Sequence, residues 1–201
     1  MKLFTAIIER DIDTNFYSEK QLEENNSNVA TSLNNLANLY NDQGKYSEVE
    51  PLYLRSISII EKQLGEEHPL FSSSIDNLAN FYNYQGKYSE AEPLYIRSLS
   101  IREKYLNLEH PDVANSLNNL ASLYRNQKKY NEAESLYLRS IVIGEKQLGN
   151  DHPYIASYLG NLAKLYDYQK KYSEAEPLFL RALSIRKKRL GADHSKFAES
   201  L

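Results

Sequence analysis

Apolar residues in this chain recur at a helical period. Leu33, Leu36, Ala37 and Tyr40 fall on one side when successive residues are turned by about 100°. Thr31, Asn34, Asn35, Asn38 and Asp42 fall on the other. The spacing predicts an amphipathic helix A over roughly 29–43. A turn follows at Gln43-Gly44-Lys45-Tyr46, and then a helix B over roughly 47–64. Helix B is expected to bury Val49, Leu52, Tyr53, Ile57 and Leu64 and to expose Glu48, Arg55, Ser58 and Lys62. Strand-like alternation of useful length is found nowhere.

The whole pattern then repeats. The stretch 28–69 recurs from Leu70, Asp112 and Tyr154, each time 42 residues on. The only histidines, His68, His110, His152 and His194, keep that step, and so do Tyr40, Tyr82, Tyr124 and Tyr166. The expected organisation is repeats at 28–69, 70–111, 112–153 and 154–195, with the start of a truncated fifth at 196–201. Residues 1–27 keep the register weakly, since Glu19-Lys20-Gln21-Leu22 aligns with Glu61-Lys62-Gln63-Leu64. They read as a degenerate capping helix or as a frayed tail. Two helices cannot enclose a core alone, but stacked copies cover each other's apolar faces. The fold class expected is all-α, a right-handed α-solenoid of antiparallel helix pairs.

Start and stop signals agree with the pattern. Ser47 and Glu50 have capping-box spacing, as do Ser89/Glu92 and Ser173/Glu176, with Asn131/Glu134 a weaker form. Pro51, Pro93 and Pro177 are placed in the first turn of helix B, where proline does least harm. Gly65, Gly149 and Gly191 follow the last leucine of helix B, with Asn107 in the second copy; these are residues a left-handed cap accepts. Pro69, Pro111 and Pro153 are expected to open the next helix A.

Leu33-x-x-Leu36-Ala37-x-x-Tyr40, then Gly44-x-Tyr46, Val49, Tyr53 and Ser56, resemble the tetratricopeptide repeat. Later copies are closer, with Ala91, Ala133 and Ala175 for Val49 and Ala182 for Ser56. The 42-residue period, the Leu-Gly-x-x-His-Pro ending and a helix A reading Leu-Asn-Asn-Leu-Ala-x-Leu-Tyr are similar to the kinesin light chain type. Lys128 and Lys170 depart from the pattern at the turn, where the first copy has Gly44. The resemblance implies that helix A lines a concave groove that binds a peptide or partner protein.

Leu, Ile, Val and Phe make up about a quarter of the 201 residues, enough for a core. Net charge is −3, so no general basic field exists for nucleic acid. Cysteine is absent, which excludes disulfides, thiolate metal sites and a Cys nucleophile. The apolar run Ala6–Ile8 is too short for a signal-peptide core, and nothing approaches a membrane span. The expectation is a soluble, cytoplasmic protein with no membrane or nucleic-acid partner.

No residue set resembles a catalytic site, because each candidate recurs as a repeat element whereas an active site is a unique constellation. The expectation is a non-enzyme without cofactor or metal. Equivalent histidines in neighbouring copies lie about 10 Å apart by helix-packing distance. Ligands to one ion must lie about 2 Å from it, so the histidines read as loop residues ahead of helix A. Tyrosines at the Tyr40, Tyr46 and Tyr53 positions read as packing. Tyr84 and Tyr168 lie on the polar side and read as exposed aromatic anchors or as ordinary surface residues.

The asparagines are the most informative residues. Asn35, Asn77, Asn119 and Asn161 recur opposite the core, joined by Asn34, Asn38, Asn80, Asn83, Asn115, Asn118 and Asn126. Asn is a poor helix former, but its amide offers donors and an acceptor to an extended peptide backbone. The other reading is that each Asn bonds a neighbouring repeat and holds the twist. The candidate groove comprises Asn34, Asn35, Asn38, Asn77, Asn80, Asn118, Asn119 and Asn161 with Asp76, Tyr84, Arg125, Lys164 and Tyr168; Asn118 is expected on the polar side. Asp42, Asp76 and Asp167 against Arg125 and Lys164 sum to −1, without the lysines and arginines of the carboxylate-clamp subtype. Arg125 and Lys164 are near neighbours in adjacent copies, where one acidic contact fits. The ladder Arg55, Arg97, Arg139 and Arg181 on helix B reads as a solvated face paired with Glu48-type neighbours. A rival reading is self-association through the C-terminal edge, because the sequence stops at Leu201 inside a fifth helix A.

Overall fold

The computed structural model describes residues 27–190. Eight helices follow one another, with no strand among the described residues: α1 Ser27–Asp42, α2 Tyr46–Leu64, α3 Pro69–Tyr84, α4 Tyr88–Tyr105, α5 Pro111–Asn126, α6 Tyr130–Leu148, α7 Pro153–Tyr168 and α8 Tyr172–Leu190. Odd-numbered helices are the A type and even-numbered ones the B type. The expected N-terminal capping helix and fifth repeat lie outside the described residues. Two compact units divide the chain, one up to Phe81 and one from Tyr82.

Proline opens α3, α5 and α7 as expected, and the residue before it is the cap. His110 Nδ1 accepts the backbone N–H of Asp112 at 3.1 Å, and His152 Nδ1 that of Tyr154 at 3.2 Å. His68 Nδ1 does the same for Leu70 at 3.1 Å. His68, His110 and His152 are thus helix caps satisfying amides that an α-helix leaves unpaired, while His194 lies outside the described residues.

The A-to-B turn keeps one geometry through a change of residue. Gly44 and Gly86 have φ of 74°, and Lys128 and Lys170 hold the same left-handed region at 63° and 59°. Around each turn a lysine ammonium lies over the tyrosine five residues earlier, from Lys45 on Tyr40 at 5.0 Å to Lys171 on Tyr166 at 5.6 Å.

Several expectations about helix B are corrected. The capping boxes do not form: Lys45, Lys87 and Lys129 are the N-caps and make no side-chain cap bond. The tight turn starts the helix too early for Ser47 to cap it, and Ser47 bonds Glu48 instead. Pro51, Pro93 and Pro177 consequently lie inside the helix, beyond its first turn. Asn107 is not left-handed. Helix α4 stops at Tyr105, Leu106 is extended with φ −102°, and Asn107 Oδ1 accepts from the Glu109 amide. Leu64 is exposed rather than buried, while Ile59 and Ile60 supply the buried surface.

In the first unit Val49, Tyr53, Ile59, Ile60, Phe71, Ile75 and Leu78 are buried. Ser56 Oγ ties α2 to α1 by donating to the Ala30 carbonyl at 2.8 Å. Leu36 is 36% exposed, whereas Leu78, Leu120 and Leu162 at the same place are buried. Helix α1 is the first described element, so no described helix covers the side that a preceding B helix covers in α5 and α7.

The second unit has a continuous core built from Val113, Leu117, Tyr137, Ile155, Leu159 and Leu162. Its repeats exchange bulk across one junction. Arg102 of α4 is buried and its Nη1 donates to Ser116 Oγ of α5. One period later, Gly144 of α6 meets Tyr158 of α7. A Cβ on Gly144 would lie 2.7 Å from Ile155 Cδ1 and 2.9 Å from Tyr158 Cε2. The small residue is therefore what admits the tyrosine.

Candidate functional site

The helix-A face is set by how neighbouring A helices meet. In the second unit residue i of one A helix pairs with residue i+43 of the next, one more than the sequence period. Asn126 Nδ2 donates to Asn83 Oδ1 at 2.9 Å, and Asn161 Nδ2 to Asn118 Oδ1 at 3.1 Å. The Tyr158 hydroxyl donates to Asn115 Oδ1 at 2.5 Å, and the Arg125 guanidinium lies 5.8 Å from the Tyr168 ring centre. Amides, a phenol and a guanidinium thus make rungs between consecutive repeats.

Burial corrects two face assignments. Asn118 is buried at 8% exposure, not polar-side surface, because α7 packs over it and Asn161 completes its acceptor. Asp76 is buried at 6% and is not a groove charge. Asp42 and Asp167 remain exposed.

The other candidates divide by unit. In the first, Asn34 is half-buried and its Nδ2 donates to Ser74 Oγ at 3.4 Å. Asn38 is exposed, yet its Oδ1 accepts from the Tyr53 hydroxyl at 2.5 Å, tying α1 to α2. Asn35 and Asn80 are exposed and Asn77 is half-buried. In the second unit Asn119 is half-buried, Lys164 is exposed, and Tyr84 and Tyr168 are 70% and 64% exposed. Neither Asn77 nor Asn119 has a side-chain hydrogen bond among the described residues.

Arg125 stands apart. It is half-buried on α5, and its Nε and Nη1 are shielded from solvent without a hydrogen-bond partner among the described residues. Nη2 reaches only Asn126 Oδ1, at 3.3 Å. Sequence neighbours pointed to Lys164; the ring that covers Arg125 is that of Tyr168, one turn further along α7.

Burial tunes the tyrosines beneath this face. Desolvation pushes the Tyr137 hydroxyl up, with Arg125 and the Ser122 bond opposing it. The Tyr158 hydroxyl is pushed up strongly by the same cause. Tyr166 is pushed up to about 12 by desolvation and by its bond to Glu134. All three therefore stay neutral hydrogen-bonding groups near neutral pH.

The B helices are tied differently. Arg139 reaches Glu103 at 2.8 Å and Arg181 reaches Glu145 at 2.6 Å. Lys146 pairs with Glu109 at 2.6 Å and Lys188 with Asp151 at 3.0 Å. The partners of these arginines are thus late acids of the preceding repeat, not the Glu48-type positions. Glu92, the expected capping-box acid, instead takes Gln127 at 2.9 Å and Lys129 at 3.3 Å.

Asn115, Asn126 and Tyr158 belong to the rungs; the two asparagines were read as part of the asparagine-rich face but not placed in the groove, and Tyr158 was not singled out. Only the Asn161–Asn118 rung had a signal in the sequence, the doublet Asn118-Asn119, whose first member meets the next copy's equivalent of its second.

A tetratricopeptide repeat family model matches residues 70–141 and 113–188, and a second model of that repeat matches 29–70. Among solved structures, BtubC (BKLC) from P. vanneervenii superposes with a TM-score of 0.75 at 22% identity, covering 94% of this chain and 75% of that one. The nearly identical TPR-like repeats of kinesin light chain type from Podosopora anserina superpose with a TM-score of 0.71 at 28% identity, covering 87% and 83%. A single-substitution form of those repeats gives 0.71 at 29%, covering 87% and 82%. No curated protein matches the chain.

Proposed function

Since the chain belongs to the tetratricopeptide repeat family, whose members are scaffolds for protein–protein interaction, we propose that its helix-A face binds an extended peptide segment of a partner protein. The observation that supports this most is Arg125. A half-buried guanidinium with two shielded nitrogens that lack a hydrogen-bond partner among the described residues costs free energy in the unliganded chain. An acceptor from a ligand, a peptide carbonyl or carboxylate, would complete it. Tyr168 gives that ligand an exposed aromatic surface, and Lys164 adds a cation one turn away. Asn119, in the same unit, offers an amide to a backbone. The protein acts by binding rather than by catalysis, in the cytoplasm.

The test is a random-peptide display selection against the immobilised chain, followed by titration of the selected peptides. Arg125→Ala should weaken them by about 1.5–3 kcal/mol, the worth of a charged hydrogen bond. Tyr168→Ala should weaken them as well. Selected peptides that bind both variants as tightly as the wild type would overturn the proposal.

A further inference from the structure

Along a chain with a 42-residue period, residues that break the period stand out, and in the second unit four of them gather at one junction of α5, α6 and α7. Tyr158 stands where the other copies have Ser32, Ser74 and Ser116. Gly144 faces it, where the copy before has Arg102 and the first copy Ile60. Asp112 and Tyr154 share a place that is Asn28 and Leu70 in the first two copies. Glycine inside a helix is unfavourable. The chain thus gives up helix propensity and a guanidinium to lay a tyrosine here.

Seven residues make close to two helical turns. Asp112 therefore lies on the same side of α5 as Asn119, and Tyr154 on the same side of α7 as Asn161. Tyr158 closes the floor between them; it is 2% exposed, and its hydroxyl donates to Asn115 Oδ1 at 2.5 Å. Asn115 follows Asp112 by one turn of α5. The Tyr154 ring, 48% exposed, stacks on the Tyr158 ring with centres 6.4 Å apart and planes at 25°. The His152 ring meets it edge-on at 5.1 Å. Asp112 and Tyr154 are both close enough for charge on them to act on the Tyr158 hydroxyl. The junction thus has a carboxylate on one wall and a fixed aromatic ring on the other.

That carboxylate lacks a cation. On the B side, Glu103, Glu109, Glu145 and Asp151 each hold an arginine or a lysine. Asp112 holds none among the described residues; its side chain is 55% exposed, and His110 Nδ1 lies 3.7 Å away. That nitrogen accepts the Asp112 amide N–H, so it brings no proton to the carboxylate. An aspartate in the first turn of a helix is ordinary by itself. The tyrosine wall opposite, and the glycine that admits the ring beneath it, are not. We propose that this junction binds the cationic end of a lysine or arginine side chain of a partner protein. The cation pairs with the Asp112 carboxylate and lies against the Tyr154 ring. The site stands apart from Arg125, which is roughly 20 Å further along α5, and it takes the opposite charge.

The test is an NMR titration of the full chain with N-acetyl-arginine amide, followed at the ring protons of Tyr154 and Tyr158. Saturable shifts at those rings are expected, with a Kd on the order of millimolar, as one exposed side chain allows. N-acetyl-norleucine amide, of similar length without the charge, should cause none. Asp112→Asn and Tyr154→Leu install the residues that the first two copies carry at this place, so the repeat accommodates them. Each should weaken binding about two- to fivefold, as loss of an exposed ion pair or cation–π contact does. Asp167→Asn, which removes the other acid of α5 and α7, should leave the Kd unchanged. Shifts spread evenly over the surface, a neutral probe that binds as well, an unchanged Kd in Asp112→Asn or Tyr154→Leu, or an equal loss in Asp167→Asn would overturn the proposal.

Discussion

Neighbouring repeats in the second unit are tied on two faces, and the ties differ in chemistry. On the A helices the rungs are neutral and partly buried, as with Asn161 on Asn118. On the B side they are charged and exposed, as with Lys146 of α6 on Glu109 of the loop after α4. Burying an ion pair costs more desolvation than its attraction returns unless every group is satisfied. An amide carries donor and acceptor without that penalty. Where water reaches the junction an ion pair suffices, although it contributes only about 0–1 kcal/mol. The offsets differ too. A-helix rungs join residues 43 apart, while B-helix rungs join residues 36 or 37 apart. The acid lies near the end of one B helix or in the loop after it, and its base sits five or six residues earlier in the next repeat, so these ties run obliquely from one repeat to the next.

The largest effect should come from removing what holds both faces in register. Leu120 is 5% exposed, and Leu120→Ala should cost roughly 2–5 kcal/mol in chemical denaturation. A loss below about 1 kcal/mol would mean that the A helices are not held by this core.

The rungs come next. Asn118→Ala should cost about 1–3 kcal/mol, because it leaves the Asn161 amide unpaired in a half-buried place. Asn126→Ala breaks the exposed rung to Asn83 and should stay within about 0.5 kcal/mol, as a surface change does. Equal losses would remove the distinction between buried and exposed rungs.

Much of this was legible before any coordinates. The 42-residue period, the amphipathic A helix and the prolines at its start follow from side-chain spacing, and the helices sit where that spacing puts them. The rungs were not legible in the same way. A sequence period aligns equivalent residues, whereas packing brings together residues offset from equivalence, here by one. Asn118 was therefore read as surface when its partner was the neighbour of its own equivalent. Ser47 was read as a cap because its distance to Glu50 fits, but the turn at Gly44 fixes the helix start upstream. The Gly144–Tyr158 exchange needed coordinates, since neither residue signals the other along the chain.

A smaller effect should appear in acid. The Glu92 carboxyl is held below its ordinary range, chiefly by the Gln127 hydrogen bond and then by Lys129. Folding thus favours its ionised form. That contribution is fully present above the ordinary value of 4.5 and is lost as pH falls below it. Glu92→Gln should flatten the fall in melting temperature on acidification through that region. An unchanged pH profile would remove Glu92 from the B-side ties.

The smallest effect expected is a gain. Lys128 holds a left-handed backbone that costs an L-residue about 1–2 kcal/mol, part of which glycine returns as chain entropy. Lys128→Gly should stabilise the protein by roughly 0.5–1 kcal/mol, read from denaturant midpoints. A loss would show that the contact of the neighbouring Lys129 with Tyr124 depends on the residue at the turn.

The most direct test of the central claim, that one asparagine of the helix-A face is a strut while its sequence neighbour is left for a ligand, is a pair of thermal melts. Asn118→Ala should lower the melting temperature by several degrees, given about 2–4 °C per kcal/mol for a chain of this size. Asn77→Ala with Asn119→Ala should leave it within about 1 °C, because neither side chain has a hydrogen bond to lose. A double variant that melts as early as Asn118→Ala would contradict the account and make the whole ladder structural.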